Sequence, residues 1–423
     1  MKTHHPIRRL LLAGLIALNA LLYAGCDDGL LEGEDAPYED VEGMAATNVE
    51  DEEVEIAAFN SELTQSMGAA ELGFAPIPVT LDLDAMAQHI QQKLNGNAVG
   101  YAYAITQSGQ LKKAKGVGWA KRPPDGGEAI KSTTRMNVAS VTKNVTAVAT
   151  LQLLEELGLS IDSKIAKWLP GDWPKGPGIS ELTFRHLLTH KSGAKQKFNS
   201  LSEAQKANWG NTWDGIKYVV KLGMQPDSPS AYKNWNFAVL RVIIPALWKA
   251  TGNHPGIAWI TEASHGFWYV AYVQQRIFVP SGVNGVLCQP QAAYPSALSY
   301  NVSNLSVPGK QTSTQLANCG GHGNLHLSAR DLARYMVHVR YNNAILSPAM
   351  RQLMDSEKLG WNGSSGVKRW HGGTLYLGSG RELLSCIMKY PNNLEATLVI
   401  NSSETAVGDK CSILKTAYDA ALP

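Results

Sequence analysis

The sequence predicts an α+β fold: one antiparallel sheet built from N- and C-terminal segments, flanked by helices, with a large, mostly helical region inserted between them. Three observations carry this. Short runs rich in Val, Ile and Tyr, broken by glycine turns, lie at residues 98–120, and strand-like runs return at 369–401. Apolar residues recur at helical spacing through most of 136–354. The 423 residues are 44% hydrophobic and only 17% charged, enough to bury a sizeable core.

Taken in chain order, the first 26 residues read as an export signal. Lys2, Arg8 and Arg9 make a basic start, and 10–22 is an apolar run interrupted only by Asn19, too short for a comfortable membrane span. Ala24 and Gly25 precede Cys26, an ending that resembles a bacterial lipobox, although Tyr23 stands where a smaller aliphatic residue is usual. A lipid on Cys26 would hold the protein on a membrane by acyl chains. The expected location is therefore beyond the inner membrane of a bacterium, anchored in the cell envelope. Residues 27–75 are acidic and poor in large apolar groups, and predict a disordered tether. The 13 acids from Asp27 to Glu55 meet no Lys or Arg, so the chain from Ile56 onward is about twelve charges positive against a total of +2.

One folded domain is predicted over 76–423, with sheet regions at 80–135 and 355–423 around the helical region 136–354. Leu83, Met86, Ala87, Ile90 and Leu94 share a helix face that Gly96 closes. Runs at 98–106 and 110–120, joined through Ser108-Gly109, predict a β-hairpin. Val141, Val145, Val148, Leu151 and Leu154 place a helix at 141–157, ended by Gly158. Further helices are predicted near 183–190, 212–222, 236–250 and 328–337, with Pro245 kinking or interrupting the third. Residues 289–318 are polar and unpatterned, a long loop. Strands return at 369–371, 382–390 and 396–401, and a helix at 412–421 closes the chain. Several of the 11 Trp lie between Trp209 and Trp268; packing in the core accounts for them better than lining a cleft.

Cys288, Cys319, Cys386 and Cys411 predict two disulfides in an exported chain. Three pairings are possible, and nearness in sequence favours Cys288–Cys319 and Cys386–Cys411. No zinc-type Cys/His spacing, phosphate loop or basic-aromatic nucleic-acid signature is present. His322 and His326 are four apart, but Gly320, Gly321 and Gly323 argue against a helical metal pair. No cofactor or metal is expected, and no nucleic-acid partner.

A serine nucleophile needs a base beside it and donors for the developing oxyanion. Ser-x-x-Lys at a helix start supplies the first two on one face, and the helix N-terminus adds a backbone donor. The pattern occurs five times, at Ser140, Ser192, Ser230, Ser365 and Ser412. Only Ser140 opens a long apolar helix; Ser192 and Ser365 lie in glycine turns, Ser230 follows Pro229, and Ser412 suits a capping role.

The segment from Met136 through Ser140-Val141-Thr142-Lys143 to Asp162 resembles the nucleophile segment of the serine β-lactamase and penicillin-binding-protein family, above all its class C, carboxylesterase and D-peptidase branches. Residues 182–193, Tyr232-Lys233-Asn234, 276–280, 328–334 and His371-Gly372-Gly373 continue the resemblance in the family's order over roughly 80–420. It implies the β-lactamase/transpeptidase-like fold, with Ser140 as acylated nucleophile and Lys143 as the group that helps deprotonate it. Tyr232 becomes a second base that also protonates the leaving group, and Asn234 the holder of the acyl carbonyl. The oxyanion hole falls to the backbone N–H groups of Ser140 and Thr374. A free phenol titrates near ~10, and Lys143 beside Tyr232 is expected to lower that value. Simpler roles compete: helix caps for Ser140 and Asn234, a solvated Lys143, a packed Tyr232, a plain strand position for His371.

The third motif departs from the family's Lys-Thr-Gly or His-Thr-Gly, which grips a substrate carboxylate. Gly372 has no hydroxyl, and His371 is mostly neutral at pH 7. Arg369, two residues back on the same strand face, is the candidate replacement cation. The pattern implies a serine hydrolase acting on an ester or on a D-amino-acid or peptide amide. A β-lactamase or DD-peptidase is the alternative enzyme, and a non-catalytic surface protein that binds cell-wall peptide the alternative of another class.

Overall fold

The hairpin predicted around Ser108-Gly109 forms the start of a seven-stranded antiparallel sheet. The computed structural model describes residues 49–67, 80–403 and 407–423, and the signal, Cys26 and the tether before residue 49 lie outside them. Strands are β1 (Gly100–Gln107), β2 (Gln110–Lys121), β3 (Glu128–Ala129), β4 (Met136–Asn137), β5 (His326–Leu327), β6 (Gly363–Ser365), β7 (Lys368–Tyr376), β8 (Glu382–Lys389) and β9 (Leu394–Ile400). The sheet order is β3-β2-β1-β9-β8-β7-β6, so C-terminal strands pair directly with the N-terminal hairpin; β4 and β5 make a separate two-stranded ladder. The predicted architecture is correct in this respect.

Alternation sends β1 side chains to two cores. Tyr101, Tyr103 and Ile105 pack with Leu384, Cys386, Leu398 and Ile400 under α2 (Leu83–Leu94) and the C-terminal helix Lys410–Ala420. Ala102 and Ala104 face the other way, toward the helical region. That region begins with α3 (Thr142–Glu156) and continues through α4 (Phe184–Leu188), α5 (Ala194–Asn199), α6 (Glu203–Ala207), α7 (Trp213–Leu222), α8 (Trp235–Ala250) and α9 (His265–Val273). It ends with α10 (Ala329–Tyr341) and α11 (Pro348–Ser356); Lys410–Ala420 is α12. Trp235 and Trp248 are fully enclosed in this core, as packing predicts, whereas Trp259 is exposed.

Two expectations are corrected. The tether is not disordered throughout, because Val49–Met67 forms a helix, α1. Phe59, Leu63 and Met67, at i, i+4 and i+8, are buried, and the Phe59 ring lies under Arg334 (4.5 Å) and Arg330 (5.6 Å). Glu55 pairs with Arg330 at 3.2 Å and Glu62 with Arg334, so the acids that suggested disorder meet cations of α10. Second, of the kink or interruption expected at Pro245 the interruption does not occur, since α8 runs through it as one helix. An interior proline costs ~3 kcal/mol, and α8 offsets this by burying nearly every residue from Trp235 to Trp248.

Both disulfides join the cysteines nearest in sequence, Cys288–Cys319 and Cys386–Cys411. The first closes the 289–318 loop at its base. The second ties β8 to α12 directly behind β7.

Candidate active site

Ser140 sits in a short 3₁₀ turn, Ala139–Val141, between β4 and α3. The turn is held in a strained shape: Ala139 has φ +46°, a left-handed conformation costly for a residue with a Cβ. Asn137 Oδ1 accepts from the Ala139 N–H at 2.8 Å, and Ser385 Oγ donates to Val138 O at 2.7 Å. These bonds fix the backbone so that Ser140 Oγ faces out of the turn, onto two other side chains.

Lys143 Nζ lies 2.9 Å from Ser140 Oγ, and Tyr232 Oη lies 2.9 Å from the same atom. The capping alternative for Ser140 fails, since its hydroxyl makes no cap bond to the helix. Lys143 is not solvated: it is fully buried, and burial lowers its pKa well below the ordinary 10.5. Its Nζ also donates to His322 O at 2.6 Å. A neutral amine has two protons and one lone pair. With one proton on His322 O, the lone pair is available to the Ser140 hydroxyl.

Tyr232 corrects an expectation. Lys143 Nζ is 4.9 Å from its ring, yet the phenol is not acidified. The residue is 43% exposed, but its hydroxyl is turned inward onto Ser140. Burial of that end pushes the phenol up to about 12, with the hydrogen bond to Ser140 acting in the opposite sense. Tyr232 is therefore a neutral donor. It is positioned by His190, whose ring lies 4.5 Å from the Tyr232 ring and whose carbonyl accepts from Ala231 N at 3.0 Å. Asn236 Nδ2 donates to His190 Nδ1 at 2.9 Å, and Ser192 Oγ donates to Asn236.

Three imidazoles surround the lysine, and burial keeps all three neutral, Lys143 adding to the effect. His190 is pulled down to about 3, and His322 and His371 lie well below 6.5. Asn234 begins α8 without capping it, and its Oδ1 is buried with no partner among the described residues, consistent with an amide kept for another molecule.

Strand β7 closes the other side. A Cβ at Gly373 would stand 2.5 Å from Val138 O and from Ser385 Oγ, and 3.0 Å from Ser140 N, so only glycine lets the strand lie this close to the nucleophile's amide. Asn362 N donates to Trp370 O, and Gly372 N donates to Asn362 Oδ1, both at 3.1 Å. By strand alternation the Thr374 N–H faces that same edge. The Thr374 hydroxyl faces away, accepting from Lys410 Nζ at 2.6 Å. His371 is buried on β7, its Nδ1 against Gly372 O at 2.8 Å.

Arg369 is not the replacement cation. Its guanidinium donates to Asp355 O (2.8 Å), Gly366 O (2.6 Å) and Lys368 O (2.9 Å), which tie it to the far end of β7. Gly372 has a structural reason: a Cβ there would meet Cys411 Sγ at 3.1 Å.

Sequence reasoning missed the supporting groups. The His322 carbonyl carries no side-chain signal. Its loop is held by buried Arg241, which donates to Asn318 O (3.0 Å) and Gly320 O (3.3 Å), and by Thr146 Oγ1, which donates to Gly321 O (2.6 Å). Neither is recognisable as part of a site in a helical pattern. Among the described residues no three His, Cys, Asp or Glu side chains group as metal ligands.

A strained turn presenting Ser140, a buried lysine one helical turn on, a tyrosine from the helical region and a strand edge behind them define a serine-centred site of the penicillin-binding-protein type. The family profile described as Beta-lactamase matches residues 86–383, and the chain belongs to that family. It is 31% identical over 134 residues to "Esterase EstB" of Burkholderia gladioli, covering 30% of this chain and 33% of that protein. It is 28% identical over 165 residues to "Penicillin-binding protein 4*" of Bacillus subtilis strain 168, covering 37% and 31%. The aligned stretches thus span about a third of these relatives. Among solved structures, the fold matches the octameric penicillin-binding protein homologue of Pyrococcus abyssi (TM-score 0.60, 20% identity, 80% and 76% covered). FmtA of Staphylococcus aureus gives a TM-score of 0.60 at 18% identity, with 88% and 97% covered.

Proposed function

We propose that the protein is a serine hydrolase that cleaves an ester or a D-amino-acid or peptide amide through an acyl-enzyme on Ser140. The observation that carries this reading is Ser140 Oγ, 2.9 Å from both a fully buried amine and a phenol. Neutral Lys143 takes the Ser140 proton as Oγ adds to the substrate carbonyl, and the oxyanion is received by the N–H groups of Ser140 and Thr374. Asn234 supplies an amide for the acyl group. As the carbonyl re-forms and the bond to the leaving group breaks, Tyr232 hands that group its proton and regains one from the Lys143 ammonium. Water then adds to the acyl-serine by the reverse proton path, releasing the acid. The esterase name among the relatives, and "D-amino acid amidase from Ochrobactrum anthropi SV3" among the structures (TM-score 0.55, 18% identity, 79% and 98% covered), support this substrate range.

A β-lactamase or DD-peptidase reading needs a cation and a hydroxyl at the third motif. Neutral His371, Gly372 and the engaged Arg369 supply neither. The proposed setting is the bacterial envelope, with Cys26 lipidated. This rests on the N-terminal sequence, and no helix among the described residues is long and apolar enough to cross a membrane.

A fluorophosphonate should label the protein once, and peptide mapping by mass spectrometry should place the adduct on Ser140. An adduct on any other serine, or none on folded protein, contradicts the reading. The same chemistry fixes the pH dependence. Only neutral Lys143 accepts the proton, so kcat/KM should rise with pH along a single limb, below the ordinary lysine range, and then stay level. With the phenol pushed up to about 12, no falling limb is expected below about pH 10; one that appears there and vanishes in Tyr232→Phe would show that the phenol is more acidic than its burial implies.

A further inference from the structure

Phe198 on α5 is ringed by ammonium groups. Lys233 Nζ lies 3.2 Å from the ring centroid, Lys206 Nζ 5.7 Å and Lys195 Nζ 6.0 Å. Lys233 Nζ is also 5.5 Å from Trp209, which meets Phe198 edge-on at 5.4 Å. Lys206 has an acidic partner, Glu203, at 2.8 Å; among the described residues Lys195 and Lys233 form no ion pair. Like charges gathered without acids repel one another. Burial first and Lys195 second pull Lys233 down to about 8. Trp209 Nε1, a donor on the same aromatic pair, is enclosed with no acceptor among the described residues.

This cluster is joined to the site through the backbone that carries Tyr232. Lys233 is the middle residue of Tyr232-Lys233-Asn234, and its N–H donates to His190 Nδ1 at 3.4 Å, on the imidazole that packs against Tyr232. Gln196, next to Lys195, donates to Pro229 O at 2.9 Å, at the start of the loop that carries Tyr232. The strand side of the site supplies no substrate-facing positive charge, because His371 is neutral and Arg369 is engaged elsewhere.

We propose that Lys195 and Lys233, set over Phe198 and Trp209, form an anion subsite that receives a carboxylate on the substrate, remote from its scissile bond. Two ammonium point charges suit a carboxylate without imposing the forked geometry an arginine requires. Aromatic faces beneath them hold the cations in place in the free enzyme. The subsite rests on the hydrolase reading only in that the carboxylate belongs to the molecule cleaved at Ser140.

The test compares mono-p-nitrophenyl glutarate with neutral p-nitrophenyl valerate. The ratio of their kcat/KM values should fall roughly tenfold in Lys195→Gln, fall further in Lys195→Glu, and recover in Lys195→Arg, with the change residing in KM for glutarate. In wild type the ratio should also fall as salt rises from ~0.05 to ~0.5 M. A ratio that stays within twofold across all three variants overturns the proposal. Glutarate binding to Ser140→Ala protein, followed by calorimetry, needs no turnover and separates the two readings. Binding there that Lys195→Glu abolishes supports the subsite even where neither ester is cleaved. No binding overturns it even where Ser140 proves catalytic. Inorganic phosphate displacing glutarate at much lower concentration overturns the choice of carboxylate.

Discussion

Replacing Lys143 by methionine is expected to cut ester hydrolysis by ~10³–10⁴ and, in the same protein, to raise the melting temperature. The first effect follows from losing the group that, among the described residues, lies within reach of Ser140 and can take its proton. The second follows from burial: the amine is fully enclosed, its hydrogen bonds go to Ser140 Oγ and His322 O, and among the described residues it has no carboxylate partner that would make its charging easier. Methionine keeps the length and removes the charge. The pH dependence has a definite sign. The folded-state pKa lies below the unfolded ~10.4, so the unfolded chain binds more protons and wild-type stability rises with pH over that interval. The penalty is complete below the folded pKa and vanishes above the unfolded one. The advantage of Lys143→Met, ~1–3 kcal/mol, should therefore be largest at low and neutral pH and shrink toward pH ~10. For a chain this size each ~1 kcal/mol shifts the melting temperature by roughly 2 °C. Melting curves at pH 6 and pH 9, read beside initial rates, check both halves. A variant that is both inactive and less stable at neutral pH would mean that the lysine supports the fold by contacts the geometry does not contain.

The second large effect is expected at Gly373. A methyl group there must displace Val138 O, Ser385 Oγ or Ser140 N, each within 3.0 Å of its position. Val138 and Ser140 belong to the strained turn, so movement there carries the nucleophile and its amide with it. Misplacement by ~1 Å costs about 10² in rate, and overpacking costs ~1–3 kcal/mol. Gly373→Ala should therefore lose about a hundredfold in kcat and fluorophosphonate labelling rate, with a lowered melting temperature. Labelling within threefold of wild type would show that β7 has room to retreat and that its close approach is not required.

How much of this was legible in the sequence depended on which residues carry the signal. The β1–β2 hairpin, α3 and the return of strands after residue 369 announce themselves by period, and nearness in sequence paired the cysteines. Ser140, Lys143 and Tyr232 could be singled out by resemblance and by the apolar helix that follows Ser140. Their meeting at 2.9 Å depends on chain segments 92 residues apart. Three features were not legible. Helix α1 was hidden because its acids outnumber its buried residues, and their partners Arg330 and Arg334 lie far along the chain. The six- and five-residue helices α5 and α6 are too short for a hydrophobic period to register. The pKa of Tyr232 depends on whether Lys143 or burial dominates, and that is a property of the folded site.

The bond between Cys386 and Cys411 bears on what the site could become. Its Cys411 sulfur lies 3.1 Å from where the Cβ of a threonine at 372 would stand, a tight contact. Restoring the hydroxyl that the family uses to hold a β-lactam carboxylate would thus compete for space with the covalent brace joining β8 to α12. A variant line selected for lactam cleavage would have to shift the bridge by a few tenths of an ångström, or find its anion contact elsewhere on the molecule.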